Sequence, residues 1–279
     1  MQSSFPLVTL NNGISMPQFG LGVFQMSDGQ EVESSVTAAL EAGYRLIDTA
    51  RMYGNEAGVG NAIRASGIPR EDIFVTTKLA NPDQGYDSTL RAFDASMERL
   101  NLDYIDLYLI HWPVPSRGLF TETWKAFEKL WGDGIVRAIG VCNFKPNHLE
   151  TLLEKAEIVP AVNQIELHPW LQQHETRDFC KKHDIQIESW GPIGGSGGTL
   201  LDDERLKPLA EKHGKTPAQV VLRWHIQNGF VVIPKSTHPD RIRENADIFD
   251  FALSDEDMTI IESMNKDERH GPDPDVLGS

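Results

Sequence analysis

The chain has 279 residues, 40% of them hydrophobic, with 23 Gly, 16 Pro, two Cys and a formal net charge of −15. So acidic a surface repels phosphate backbones and anionic membrane faces, which argues against nucleic-acid and membrane partners. Met1-Gln-Ser-Ser-Phe-Pro6 has no basic start leading into an apolar core, and no apolar run reaches the ~20 residues that span a bilayer, so a cytoplasmic location is expected.

The first element in chain order is a hairpin. Val8-Thr-Leu-Asn11-Asn12-Gly13-Ile-Ser-Met16 alternates around Asn-Gly, and both positions of that turn take positive φ. Because it precedes the repeats, it is expected to plug one end of a barrel. Short β-branched runs then alternate with helical patterns. The spacing predicts strands over 19–24, 45–49, 73–78, 104–111, 136–142, 161–165, 186–190 and 231–235. Helices are predicted over 30–42, 55–66, 87–100, 119–132, 146–156, 172–183, 202–213 and 216–228, with another over 255–265 beyond the last strand. Thr216-Pro217 reads as an N-cap followed by proline, and Ser254-Asp-Glu-Asp257 puts carboxylates in a first turn. Strands separated by helices pair in parallel through right-handed crossovers, and eight of them close a barrel. The expected architecture is therefore α/β: a (β/α)8 TIM barrel with a hairpin plug, occupying residues 1–279 as one domain. The polar stretch from Asp267 to Ser279 is expected to loop over the site.

Polar residues fall at or just past the ends of these apolar runs: Asp48, Lys78, His111, Asn143, Gln164, Trp190 and Lys235. Unpartnered buried charges cost several kcal/mol, so charges so placed should converge on each other or on a ligand. Asp48, Lys78 and His111 end neighbouring strands, and Tyr53 follows Asp48 closely enough to turn back over the same rim. A phenol with a pKa near ~10 is a poor acid, but an adjacent ammonium pulls that value down. Lys78 supplies the ammonium, Asp48 orients it, and His111 offers a hydrogen bond to a carbonyl oxygen. The set suits protonation of a carbonyl as a nucleophile reaches its carbon. Cys142 and Cys180 lack disulfide or zinc-ligand spacing, and no metal site is expected. Cys180 is expected to be a packed hydrophobe, whereas Cys142 reads equally as core filler or ligand contact. Lys235 to Arg243 is a basic segment in an acidic chain, suited to phosphate, with a solvated helix start as the plain alternative.

Several motifs resemble the aldo-keto reductases: Gly43-Tyr-Arg-Leu-Ile-Asp48-Thr-Ala, Tyr53-Gly54-Asn55-Glu56, Thr76-Thr-Lys78-Leu, Asp106-Leu-Tyr-Leu-Ile-His111-Trp-Pro, Val162-Asn-Gln-Ile-Glu-Leu-His168-Pro and Ile233-Pro-Lys235-Ser. Within that family, Glu188-Ser-Trp190-Gly-Pro-Ile-Gly194 and Gly214-Lys-Thr-Pro-Ala-Gln219 look most like bacterial 2,5-diketo-D-gluconic acid reductases. The resemblance implies NADPH-dependent reduction of small aldehydes and ketones by a monomer. It implies a catalytic tetrad of Asp48, Tyr53, Lys78 and His111, with Tyr53 as general acid. Cofactor contacts are implied at Cys142, Asn143 and Gln164 for the nicotinamide amide, at Trp190 beneath the ring, and at Gly191 to Gly198, including Gly194, for the pyrophosphate. Lys235, Ser236, His238 and Arg241 are implied around the adenosine ribose, and Glu244 and Asn245 at the adenine. Phe24, Trp112 and the stretch around Arg269 to Asp275 are expected to wall the substrate pocket. Cys142 stands where the family usually has Ser. His238 stands where near relatives often have Arg, which admits NADH as a weaker cofactor, and Ala80 replaces a frequent Trp and widens the pocket. The alternative function is a noncatalytic NADP(H)-binding, redox-sensing subunit, against which the intact tetrad speaks.

Overall fold

The computed structural model of the chain describes residues 5–195 and 199–277. Two short antiparallel strands, β1 (Leu7–Thr9) and β2 (Ser15–Pro17), form the hairpin, with Gly13 at φ 82° in its turn. Asn11 and Asn12 donate to the carbonyls of Pro160 and Arg137, which lie where barrel strands begin, so the hairpin covers the end opposite the strand C-termini.

The barrel strands are β3 (Leu21–Gly22), β4 (Leu46–Asp48), β5 (Phe74–Leu79), β6 (Ile105–Ile110), β7 (Val136–Cys142), β8 (Val162–Glu166), β9 (Gln186–Trp190) and β10 (Val231–Val232). They lie in sequence order, each parallel to the next. The ends of the sheet meet: Gly20 donates to the Val232 carbonyl, Val232 to that of Gln18, and Gly22 to that of Pro234. This is the (β/α)8 barrel that the alternation of strand and helix predicts. Leu46, Phe74, Leu107, Leu109, Ala138, Val162 and Val231 fill its interior, and Leu10 and Met16 of the hairpin pack beneath them.

The helices of the repeats are α1 (Gln30–Glu41), α2 (Glu56–Ala65), α3 (Tyr86–Leu100), α4 (Phe120–Gly132), α5 (Pro146–Leu153), α6 (His174–Lys182), α7 (Leu206–His213) and α8 (Pro217–Gln227). They cover the outer faces of the strands with a second apolar layer. Beyond β10 come α9 (Pro239–Ala246) and α10 (Asp255–Glu262). The α9 helix departs from the expectation of one helix after the last strand. Its buried residues are Ile242 and Asn245, too sparse an apolar stripe to show as periodicity. Both expected N-caps form, Thr216 accepting from the Gln219 amide and Ser254 from that of Asp257. No helix among the described residues is long and apolar enough to cross a membrane.

Candidate active site

Asp48, at the end of β4, and Lys78, in β5, are both inside the barrel, 1% and 0% exposed. Lys78 Nζ donates to Asp48 Oδ1 at 2.6 Å, to the Thr49 carbonyl at 3.0 Å and to Tyr53 Oη at 3.3 Å. An ammonium has three hydrogens, and all three are used. Tyr53 ends a short turn, Arg51–Tyr53, that Gly54 closes at φ 69°. That turn is pinned by buried Asn55, whose amide donates to the Val23 and Met26 carbonyls while its oxygen accepts from Thr49. His111 follows β6, and its ring meets Tyr53 edge-on at 5.7 Å. The structure thus brings Asp48, Tyr53, Lys78 and His111 together.

The electrostatics correct one expectation. The Lys78 ammonium does pull on the Tyr53 phenol, but burial outweighs it and the phenol lies above its ordinary pKa. Burial works against the Lys78 ammonium too, yet Asp48 overrides it and holds the lysine charged. Burial pushes the Asp48 carboxyl up while Lys78 and Gln164 oppose the push. Burial, with Lys78 nearby, drives His111 well below its usual value, so the imidazole is neutral. His111 Nδ1 is buried without a protein partner.

Cys142, Asn143, Gln164 and Trp190 line the adjoining strand ends. Asn143 sits at φ 64°, a left-handed conformation asparagine tolerates, and donates to the His111 carbonyl and to Cys142 Sγ while accepting from the Trp190 indole at 2.8 Å. Gln164 Nε2 donates to Asp48 Oδ2 at 2.8 Å and to Glu188 Oε2 at 2.9 Å, which leaves its oxygen for any further polar contact. That oxygen faces the Cys142 thiol at 3.6 Å. Burial raises the Cys142 thiol well above its usual pKa, so Cys142 acts as a packed, neutral residue. Cys180 is buried in α6, as expected of a packed hydrophobe.

Gly191 and Gly194 take positive φ at the start of the glycine-rich loop, whose residues 196–198 lie outside those described. On the far side of β10, Lys235, His238, Arg241 and Glu244 are exposed, while Ser236 and Asn245 are buried beside them. Among the described residues, neither Lys235 nor Arg241 is within ion-pair distance of a carboxylate, although Lys235 is near enough to help lower the Glu31 carboxyl, whereas Arg243 pairs with Asp240. Exposed cations before and within α9, in so acidic a chain, fit an anionic phosphate, and the helix N-terminus adds to that field. Phe24 is 55% exposed with its ring 5.1 Å from Tyr53, Trp112 is buried next to His111, and Met52 is exposed nearby.

The C-terminal stretch crosses the ends of β8 and β9. The backbone amides of His270 and Gly271 donate to the Glu166 carboxylate, and His270 Nδ1 lies 2.8 Å from the Gly194 carbonyl. A Cβ on Gly271 would come within 2.5 Å of the Trp190 indole. Glu166, His168 and His270 bring potential metal-ligand atoms within 4.8 Å of one another, a grouping that spacing along the chain does not reveal. The Glu166 carboxylate there already accepts from His168 at 3.1 Å and lies 3.7 Å from Arg269. We read the group as the anchor of the C-terminal strap. Sequence reasoning also passed over Glu188, although a carboxylate inside the run Gln186-Ile-Glu188-Ser carries the same signal that singles out Asp48.

Comparison with known proteins identifies relatives of the whole chain. The Aldo/keto reductase family model matches residues 18–266. Glyoxal reductase of Bacillus subtilis (strain 168) is 57% identical over 270 residues, covering 97% of this chain and 96% of that protein. The crystal structure of an aldo/keto reductase from Brucella melitensis superimposes with a TM-score of 0.90 at 56% identity, over 94% of this chain and 100% of its own. A mutant of Gox0644 in complex with NADPH superimposes with a TM-score of 0.93 at 48% identity, over 99% of each chain.

Proposed function

The chain belongs to the aldo/keto reductase family, and we propose that it uses NADPH to reduce small aldehydes and ketones, α-dicarbonyls in particular, with Asp48, Tyr53, Lys78 and His111 as its catalytic residues. The observation that carries this reading is the ammonium of Lys78. With one hydrogen on Tyr53 Oη, it occupies a lone pair of the phenol oxygen, so the phenol proton is free to point at a substrate at the rim. Bound NADPH supplies the hydride that the carbonyl carbon accepts. Tyr53 gives the substrate oxygen its proton, and Lys78, held charged by Asp48, stabilises the phenolate left behind. Neutral His111 directs its N–H at the same oxygen. A Schiff-base role for Lys78 is disfavoured, because such a lysine needs a depressed pKa and this one is raised.

Lys235, Ser236, His238 and Arg241 would hold the ribose phosphate, with Glu244 and Asn245 at the adenine. The oxygen of Gln164 and the side chains of Asn143 and Cys142 would meet the nicotinamide amide, Trp190 would lie under the ring, and Gly191 and Gly194 would border the pyrophosphate. His238 in place of a second arginine lets NADH serve as a weaker cofactor. Phe24 and Trp112 wall the carbonyl site, and buried Ala80 leaves it wide. The name of the 57% identical glyoxal reductase supports a dicarbonyl substrate. Resemblance over Glu188 to Gly194 supports a diketo sugar acid of the 2,5-diketo-D-gluconate kind. One barrel domain spanning 1–279, acting as a monomer in the cytoplasm, completes the reading. Initial rates of NADPH and NADH oxidation against glyoxal, methylglyoxal, 2,5-diketo-D-gluconate and a benzaldehyde test it. Faster turnover of the dicarbonyls with NADPH is expected, and cofactor binding without turnover of any carbonyl would instead indicate the noncatalytic redox-sensing subunit.

A further inference from the structure

We propose that Glu188 is a positioning residue of this site: it stands behind Gln164 as a neutral carboxylic acid and holds the Gln164 amide in the orientation that clamps Asp48 onto Lys78. The inference rests on the catalytic reading above. Strand register sets Cys142 opposite Gln164, Gln164 opposite Glu188, and Glu188 opposite Val231, one layer across β7 to β10. Within it a single nitrogen, Gln164 Nε2, spends both hydrogens on two carboxyl groups, Asp48 Oδ2 at 2.8 Å and Glu188 Oε2 at 2.9 Å. The opposite amide orientation would aim a carbonyl oxygen at the ionised Asp48, so Asp48 fixes which way Gln164 faces. Glu188 accepts the second hydrogen and steadies the amide in that orientation, and Gln164 in turn holds the Asp48 oxygen that Lys78 does not use.

The protonation state follows from the partners. Asp48 has an ammonium at 2.6 Å, whereas Glu188 is fully buried and, among the described residues, has no cation paired to it and no hydrogen-bond partner for its Oε1. An ionised Glu188 would be a buried charge supported by one N–H, next to a second carboxylate. Of the two acids, Glu188 is the one that keeps a proton. The titratable groups facing it are Asp48 from β4, Lys78 from β5 and the Cys142 thiol from β7, while β10 presents Val231. Burial, then Asp48, raise it to about 8, against the opposing pull of Gln164 and Lys78.

The consequence lies in the proton-transfer step. With Glu188 neutral, the phenolate forms beside one ammonium and one carboxylate. Once Glu188 ionises, a second carboxylate faces Asp48 and draws on the Lys78 ammonium that the phenolate needs, so turnover declines as pH rises through about 8. The test compares wild type with E188Q, which keeps shape and acceptor but cannot ionise, and E188L, which removes the acceptor. Wild-type kcat is expected to fall on an alkaline limb near pH 8 that E188Q lacks. E188L is expected to lose roughly tenfold or more in kcat at neutral pH, with E188Q recovering most of that loss. A readout independent of turnover is 13C NMR of protein labelled at the glutamate carboxyls. One resonance should titrate near 8 and vanish in E188Q. The same alkaline limb in E188Q, or glutamate carboxyls all ionised by about pH 6, overturns the proposal. If wild type reduces no carbonyl, the catalytic reading fails while the NMR titration still decides the state of Glu188.

Discussion

Lys78 balances the interior charge of this barrel, and its replacement should be felt twice. In K78M the Asp48 carboxylate keeps Gln164 but loses its ammonium, the situation in which breaking a buried pair costs about 3–5 kcal/mol. Turnover should fall about 10²–10⁴-fold, since the Tyr53 phenolate loses its only adjacent cation among the described residues. Urea melts and carbonyl reduction kinetics check the two effects separately; unchanged stability would mean Asp48 simply takes up a proton. At this scale the sequence was readable wherever a polar residue ended an apolar run, which is how Asp48, Lys78, His111 and Gln164 stand out. It was unreadable where the outcome depends on depth. The Tyr53 phenol goes up rather than down because burial exceeds the pull of Lys78, and no spacing rule reports burial. Glu188 carries the same signal within its apolar run, but its tie to Gln164 runs between strands and shows only once they pair.

Elements were legible where apolar periodicity is strong and hidden where a few residues dock them. The α9 helix is held by Ile242 and Asn245 and by its neighbours: the Gln219 side chain donates to the carbonyls of Glu244 and Asp247 at its end. Gln219 is also the residue that reaches back to the Thr216 amide at the start of α8. Q219A should therefore cost more than T216A, whose loss is that of an N-cap, about 1 kcal/mol. Equal losses in thermal melts would show that the tie to α9 contributes nothing. Close approach sets a second limit. A Cβ on Gly60 in α2 would stand 2.0 Å from the Leu100 carbonyl at the end of α3, so G60A should force the helices apart and cost about 1–3 kcal/mol.

For the molecule as a whole, two buried groups titrate in opposite senses. Burial drops His225 to about 3 while it lies between Ser189 and the Pro192 carbonyl. The unfolded chain binds the extra proton below ~6.5, so this group removes stability as pH falls from there toward 3. Glu188, raised to about 8, does the reverse: its contribution is complete below ~4.3 and is lost as pH rises to about 8. Each slope is about 1.4 kcal/mol per pH unit; below about 6.5 Glu188 opposes His225 and the likewise depressed His111, and between about 6.5 and 8 the histidines have finished titrating and the loss from Glu188 remains. Urea midpoints from pH 4 to 9 should decline between about 6.5 and 8, and E188Q should remove that decline. The barrel order and the rim that carries the site were legible at this scale because strand and helix alternate. The strap was not, since Glu166, Gly271 and Trp190 meet only after folding. The most direct test of the central claim is a single turnover of methylglyoxal by NADPH-loaded enzyme, followed by loss of NADPH absorbance, in wild type and Tyr53→Phe at matched cofactor occupancy. The account predicts rapid oxidation in wild type and a loss of at least about 10²-fold in the variant with NADPH affinity retained. Equal rates in the two proteins would contradict Tyr53 as the proton donor.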